Sequence, residues 1–332
     1  MNQRYRPITR LGLGGTGLGD MYHATSDEAA NATVDAAWEA GIRYFDTAPH
    51  YGTGLSELRF GHALRRRSRA DYTLSTKVGR VLVPDVAGDM QSPFVSSLPF
   101  RRVLDYTADG ARRSVEDSLQ RLAIGSIDIV YVHDLSPDAL GGEFDHYYRI
   151  AAGPGGAFEG LVKMRQEGLI KGWGLGVNTI EPCMRALRDS DPDIFLLAGR
   201  YTLMETTPLQ ALFPLCAERG AQVVQGGPFN SGFLAGGTNY DYGPANQAQN
   251  EHRDRLRQVA ARHQVDLAAA ALQFGLAHPV VVATIPGASS PEHLRRNASL
   301  LSIEIPEGFW RELLAEGLIP PETPIPSRTP QQ

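Results

Sequence analysis

The sequence predicts an α/β fold, a (β/α)8 barrel of the TIM type with long loops at the C-terminal face of its strands. Short β-branched runs alternate with amphipathic stretches from one end to the other, and no compositional linker divides them. Most strand runs are apolar at nearly every position: Ile127-Asp128-Ile129-Val130-Tyr131-Val132 suits a parallel sheet covered on both faces. Eight such β-then-α units favour a closed barrel over an open doubly wound sheet, so residues 1–332 read as one domain.

In chain order the strand candidates are 11–18, 42–46, 72–77, 127–133, 172–177, 194–198, 222–225 and 280–284. The helical candidates are 27–40, 55–66, 108–122, 157–168, 180–189, 209–219, 267–277 and 291–301. Thr25 with Glu28 predicts a capping box for the first helix, and Thr107 precedes the third. Gly41, Gly168 and Gly220 mark helix ends. Three stretches interrupt the alternation, 79–106, 134–156 and 226–249. Each leaves the C-terminal end of a strand, the barrel face on which active sites are built. The proline-rich tail from Ile319 is expected to be irregular, either wrapped over that mouth or free.

At 332 residues and 42% hydrophobic the chain can bury a large core, and its net charge of −5 offers no basic face suited to a phosphate backbone. The basic run Arg65-Arg66-Arg67-Ser68-Arg69 falls where a helix should end and complements its dipole. Cys183 and Cys216 form neither a disulfide framework nor a metal-ligand spacing, and read as packing residues of a reducing compartment. The N-terminus lacks the apolar stretch of a signal peptide, and no run approaches membrane-spanning length. The expectation is a cytoplasmic protein that acts on a small molecule, without nucleic-acid or membrane partners. The oligomeric state is open.

Gly12-Leu13-Gly14-Gly15-Thr16-Gly17 matches the dinucleotide fingerprint G-x-G-x-x-G. That fingerprint needs its third glycine to open a helix, whereas the helix signal here begins only around Ser26. A glycine-rich first barrel strand and loop is the better reading, with the missing side chains letting a ligand approach the backbone.

Chemistry concentrates at strand ends. Asp46 ends the second strand, Tyr51 follows in the next loop, Lys77 ends the third strand and His133 the fourth. In a barrel these positions share one mouth. A phenol with an ordinary pKa near 10 is a weak acid or base at neutral pH. A neighbouring ammonium stabilises the phenolate and lowers that value, a carboxylate holds the ammonium, and a histidine can orient a substrate oxygen. Each residue alone also fits a turn, a solvated strand end or a satisfied core histidine. The ordered set of four is what makes coincidence a poor explanation.

Gly41-Ile42-Arg43-Tyr44-Phe45-Asp46-Thr47-Ala48 leading to Tyr51-Gly52, then Ser75-Thr76-Lys77, then Asp128 through His133, resembles the aldo-keto reductase signatures. The resemblance runs from about Leu11 to Leu300. It implies that Asp46, Tyr51, Lys77 and His133 are catalytic, with Tyr51 as general acid–base, and that a nicotinamide cofactor lies extended across the barrel mouth. Asn178 would then bond the carboxamide, and Gly227-Pro228-Phe229-Asn230-Ser231-Gly232 would cradle the pyrophosphate. The stretch from Pro286, Gly287 and Ser289 through His293 and Asn297 would hold the adenosine half, with Gly15, Thr16 and Asp46 completing the cofactor contacts. The resemblance implies no metal.

The sequence departs from the family pattern in two places. The glutamine expected at the end of the sixth strand is not evident in Leu196-Leu197-Ala198-Gly199-Arg200, and glycine near Gly226-Gly227 replaces a stacking aromatic. The long loop after the third strand and Gly-Pro-Phe-Asn-Ser-Gly look like the sugar-dehydrogenase branch. That branch acts on L-fucose, L-galactose and D-threo-aldoses, and includes related pyridoxal dehydrogenases. Members that favour NADPH typically hold its 2′-phosphate with a lysine after the Ile-Pro of the eighth strand and an arginine further on. Gly287 and His293 stand at those positions, so NAD is expected over NADP, with Arg295 and Arg296 as nearby charges.

The expectation is therefore an NAD-dependent dehydrogenase. Three alternatives compete: an NADPH-dependent reductase of aldehydes or ketones, a nicotinamide-binding regulatory subunit, and a phosphate-binding barrel lyase or isomerase that would leave the tyrosine–lysine pair unexplained. The absence of clustered His and carboxylate ligands argues against a metal hydrolase. Tyr22, Phe94, Phe144, Tyr147, Tyr148, Arg200 and Tyr201 are the candidate loop contacts for substrate.

Overall fold

In this computed structural model, which describes residues 4–88 and 92–326, eight parallel strands form a nearly closed barrel. They are β1 (Leu13–Gly14), β2 (Tyr44–Asp46), β3 (Thr73–Val78), β4 (Ile127–His133), β5 (Ile170–Val177), β6 (Ile194–Ala198), β7 (Gln222–Gly226) and β8 (Val281–Ile285). Each pairs in parallel with its neighbour in chain order, and bridges from Leu11 to Thr284 and from Gly14 to Gly287 bring β8 back beside β1. Parallel neighbours need crossovers, and the helices supply them. These are α1 (Asp27–Glu39), α2 (Leu55–Leu64), α3 (Ala108–Leu122), α4 (Ala157–Gln166), α5 (Glu181–Asp189), α6 (Leu212–Arg219), α7 (Leu267–Phe274) and α8 (Pro291–Leu300).

Strand residues alternate between two cores, because successive side chains point to opposite faces. Tyr44, Ile129, Tyr131, Ile194, Leu196, Val224, Ala283 and Ile285 form the barrel interior. Phe45, Leu74, Val78, Val130, Val132, Leu175, Phe195 and Val223 belong to the larger core shared with the helices. At Gly174 a Cβ would lie 1.9 Å from the Ile194 carbonyl oxygen, so β5 and β6 meet only because that position is glycine. Near the start of the chain, Tyr5 packs against the interior cluster and donates to Asp128 at 3.1 Å.

Several expectations change. The first strand shrinks from 11–18 to two residues, because the chain turns into a short 3-10 segment, Gly17–Gly19. The α1 cap is Ser26, whose hydroxyl accepts from the Ala29 amide at 3.2 Å; it replaces the expected Thr25–Glu28 box, and Ala29 at the third position cannot close a box of its own. Thr107 caps α3 as expected. The basic run contributes side-chain pairs rather than only a dipole contact: Arg67 pairs with Asp35 at 2.6 Å, and Arg69 with buried Asp128 at 2.5 Å. Both cysteines are buried and free.

The described residues of the three interruptions form further short elements. After β3 the chain forms an antiparallel hairpin, Arg80–Pro84 with Phe100–Leu104. After β4 come Pro137–Leu140 and a helix, Phe144–Ala152. After β7 lies a small hairpin, Asn239–Tyr240 with Gly243–Pro244. Its two turn residues, Asp241 and Tyr242, both have positive φ, as a type I′ turn requires. A helix the sequence did not predict, Gln247–Arg262, follows behind an Asn246–Gln249 capping box. Its polar sequence buries only Leu256, Val259 and Ala260, too narrow a stripe to read as amphipathic. Another unpredicted helix, Glu307–Ala315, precedes the tail. Tail residues Ile319 and Thr323 are buried, and Gln210 donates to Glu322 at 2.7 Å. Among the described residues, no helix is long and apolar enough to cross a membrane.

Substituting Gly174→Ala should lower unfolding stability by roughly 1–3 kcal/mol through overpacking. Urea denaturation would measure this, and an unchanged midpoint would show that β5 and β6 can part without cost.

Candidate functional site

Period-two geometry carries three of the four candidate side chains to the barrel mouth. Asp46 lies two residues beyond the inward-facing Tyr44, His133 two beyond the inward-facing Tyr131, and Lys77 two beyond Ser75, which stands opposite Asp46 in register. Tyr51 comes from the short turn Tyr51–Gly54 after β2. Gly52, Thr53 and Gly54 have φ of 62°, 50° and 100°, and the Thr53 hydroxyl donates to the Leu98 carbonyl at 2.7 Å. The glycine-rich loop packs directly beneath this turn. A Cβ at Gly19 would lie 2.7 Å from the Tyr51 carbonyl carbon, and one at Gly15 would lie 2.7 Å from the Asp46 carbonyl oxygen. Those glycines therefore allow the protein's own backbone segments to approach closely at this point.

The four residues converge. The Lys77 ammonium donates to Asp46 Oδ2 at 2.7 Å and to the Thr47 carbonyl at 2.8 Å, and it lies 4.6 Å from the centroid of the Tyr51 ring. The Ser75 hydroxyl donates to Asp46 Oδ1 at 2.6 Å and sits 3.2 Å from the Tyr44 hydroxyl, which is itself 3.2 Å from that of Tyr131. The rings of Tyr51 and His133 meet edge to face with centroids 5.9 Å apart.

Burial dominates the ionisation. It pushes the Asp46 carboxyl above its ordinary value, against the pull of Lys77 and Ser75. It holds the Tyr51 phenol well above its ordinary value, with Asp46 and Asp134 adding to the shift and Arg80 opposing it. The lysine was expected to bring that phenol down; burial outweighs it in the resting site, where the ammonium is held by Asp46 and Thr47. His133 is driven well below its ordinary value by burial, and further by Arg80, Lys77, His50 and Arg102. Its Nδ1 is buried without a hydrogen-bond partner among the described residues.

A second group surrounds these four, and the sequence reading passed over it. Arg102 donates to His50 Nδ1 at 2.7 Å, which leaves the imidazole proton on Nε2. Burial, with Arg80, Arg102 and Lys77 nearby, lowers His50 to about 2. Arg80 pairs with Asp134 at 3.0 Å, and Asp134 carries a left-handed φ of 48°. Tyr106 donates to the His133 carbonyl at 3.0 Å. Position held the missing signal: Asp134 directly follows His133, and Arg80 stands three residues past Lys77.

The candidate loop contacts divide. Phe94 reaches the site, 5.2 Å from His50 and 6.0 Å from Tyr51 between ring centroids. Tyr147 lies 5.5 Å from Tyr106, and Tyr22 is exposed. Phe144, Tyr148 and Tyr201 are core residues instead; Tyr148 donates to Asp189 at 2.9 Å, and Tyr201 packs on Phe213 and Phe274. Arg200 pairs with Asp241 at 2.9 Å.

Residues 10–315 match the model of the aldo/keto reductase family. The chain belongs to that family. A D-threo-aldose 1-dehydrogenase from a Pseudomonas species is 40% identical, over 94% of this chain and 95% of that protein. A pyridoxal 4-dehydrogenase from Microbacterium luteolum is 39% identical, over 94% and 95%. Among solved structures, the holo form of an aldo-keto reductase from Bacillus halodurans superposes with a TM-score of 0.73 at 25% identity, covering 95% of this chain and 96% of that one. This aldo/keto reductase is an NAD(P)-dependent oxidoreductase.

The loops expected to meet the cofactor have these conformations. Asn178 lies just past β5 with its amide 3.4 Å from Asp138. After β7, Asn230, Ser231 and Gly232 run consecutively left-handed at 47°, 60° and 87°, and the side of Gly232 is open. The Ser231 hydroxyl accepts from the Tyr242 amide, and Asn230 donates to the Gly199 carbonyl while its own buried Oδ1 lacks a partner among the described residues. After β8, a Cβ on Gly287 would meet only Thr16 Oγ1 at 3.5 Å and the Gly14 carbonyl at 3.9 Å. Asn297 donates to the Gly287 carbonyl at 3.3 Å, and the His293 amide donates to the Ser290 hydroxyl. The open backbone positions at Gly232 and Gly287 fit the close approach of an extended dinucleotide.

Because both imidazoles are held below the ordinary value of 6.5, the unfolded chain binds more protons as pH falls through that value. Stability should therefore be full above about pH 6.5 and decline below it, by ~1.4 kcal/mol per pH unit for each histidine. Thermal melts at pH 7.5 and 5.5 should show a shallower decline for His50→Gln. An identical decline in the variant would mean that His50 is not kept neutral by the fold.

Proposed function

We propose that this reductase oxidises a small polyhydroxylated alcohol with NAD, the aldose C1 hydroxyl being the first choice and a pyridoxal-type substrate the second. The convergence of Tyr51, Lys77, Asp46 and His133 carries this reading. The names of the relatives at 40% and 39% identity support the substrate class.

Asn178, the 227–232 loop and the segment from Gly287 to Asn297 hold the cofactor, with Gly15, Thr16 and Asp46 flanking it. When bound, the nicotinamide supplies the two-electron acceptor. Neutral His133 turns a ring nitrogen to the substrate oxygen and orients it. Tyr51 exchanges the hydroxyl proton as the carbon–hydrogen bond breaks. The Lys77 ammonium beside the ring favours the phenolate that receives the proton, and Asp46 keeps that ammonium in place. Carbonyl reduction is the second reading, favoured by the burial that holds the Tyr51 phenol above its ordinary value and so toward the form that donates a proton.

NAD is proposed over NADP because Gly287 and His293 offer a 2′-phosphate no fixed charge, and Arg295 leans toward Glu39 at 3.9 Å. Each missing charged hydrogen bond would be worth roughly 1.5–3 kcal/mol. The buried free cysteines suit a reducing, cytoplasmic setting.

Replacing Tyr51→Phe should cut kcat about 10²–10⁴-fold while fluorescence titration shows nearly unchanged cofactor affinity. Retention of more than about a tenth of wild-type kcat would remove Tyr51 from the proton transfer. In a comparison of kcat/KM with both cofactors at pH 7–8, NAD should win, and Gly287→Lys with His293→Arg should narrow the gap. A wild-type preference for NADP would sink the cofactor assignment.

A further inference from the structure

We infer that Arg80 and Asp134 form a subsite beside the reacting oxygen that recognises a vicinal diol. This rests on the proposed oxidation of a polyhydroxylated alcohol, and it assigns the chemistry that distinguishes such a substrate from a plain alcohol.

Placement is the first support. Arg80 and Asp134 leave the C-terminal ends of the adjacent strands β3 and β4, just past Lys77 and His133. Asp134 Oδ1 lies 3.7 Å from His133 Nε2, next to the ring assigned to the substrate oxygen. The two side chains pair at 3.0 Å and stay 14% and 23% exposed, so the pair forms a wall of the mouth rather than part of the core.

Unmet bonding is the second. Arg80 Nη1 is buried and has no hydrogen-bond partner among the described residues. A guanidinium recruited only to hold Asp134 would not need to leave this arm unmet, since an orphaned donor is a liability that a ligand oxygen at the mouth would relieve. Asp134 is also kept left-handed at φ 48°, with its amide donating to the Gly176 carbonyl at 2.9 Å. Strain of this kind persists where the surrounding structure needs the side chain aimed in one direction.

Charge decides the ligand class. Arg80 alone would suit a phosphate or carboxylate, but the paired Asp134 cancels its charge and would repel an anion. What remains is a donor and an acceptor side by side. Neighbouring hydroxyls match that array: one donates to the carboxylate and the other accepts from the guanidinium. An alcohol of similar size with no second hydroxyl offers neither bond.

The test compares wild type with Arg80→Gln, Asp134→Asn and Arg80→Lys, the last keeping a charge beside Asp134 in case Arg80→Gln fails to fold. One readout is the ratio of kcat/KM for an aldose to that for cyclohexanol. The other is the inhibition constant of a 1,5-anhydroalditol, which carries the diol but no C1 hydroxyl to oxidise. Each glutamine or asparagine variant should lower the ratio about tenfold or more, mainly through KM, and weaken inhibition by a similar factor. A ratio and an inhibition constant that stay at wild-type levels overturn the subsite, as do equal losses with both substrates and unchanged inhibition. A wild type that oxidises no aldose overturns the aldose reading instead, and anhydroalditol inhibition then decides the subsite by itself.

Discussion

Everything at the mouth is arranged around one buried ion pair, the 2.7 Å contact between Lys77 Nζ and Asp46 Oδ2. Both side chains are almost wholly removed from water, with 2% and 3% of their surface exposed. Such a pair is poor evidence of stability, because desolvating two charges offsets much of their attraction. Its value lies in geometry. Ser75 and the Thr47 carbonyl take up the remaining bonds, so the ammonium has one place to sit, and that place is beside the Tyr51 ring. The parallel register of Asp46 against Ser75 allows this, since the neighbouring strands then present the carboxylate and the hydroxyl side by side.

Around that pair the protein gathers further cations and keeps its imidazoles neutral. Arg80 and Arg102 arrive on the two strands of the hairpin inserted after β3, and both act on His50 and His133. A neutral ring can accept from one side and donate from the other, which a charged ring cannot do. The proposed chemistry needs this property of His133. Cofactor loops and the hairpin are separate additions to the same barrel face, which is how one scaffold accommodates different substrates.

How much of this was legible varied by residue. Asp46 and His133 could be read from sequence because each closes a largely apolar strand run, and Lys77 because a lone cation stands near the end of the β-branched run that starts at Thr73. Tyr51 carries no periodic signal of its own, being a loop tyrosine, and was legible only as part of the set with Asp46, Lys77 and His133. The helix Gln247–Arg262 escaped notice because it buries only three positions, and the hairpin at Arg80 because a proline-containing loop hides two short antiparallel strands. Tyr148 and Tyr201 looked like loop aromatics. Both turned out to be core, because their segments fold back onto the helical layer.

The sequence by itself determined the barrel, its strand order and the residues that end its strands, because alternation and apolar runs are local properties. The chemical state of those residues was left to the tertiary structure. Desolvation and charge act through space, so a phenol held protonated, two imidazoles held neutral and an arginine with an unmet donor appear only once β2, β3, β4 and the inserted hairpin are brought together.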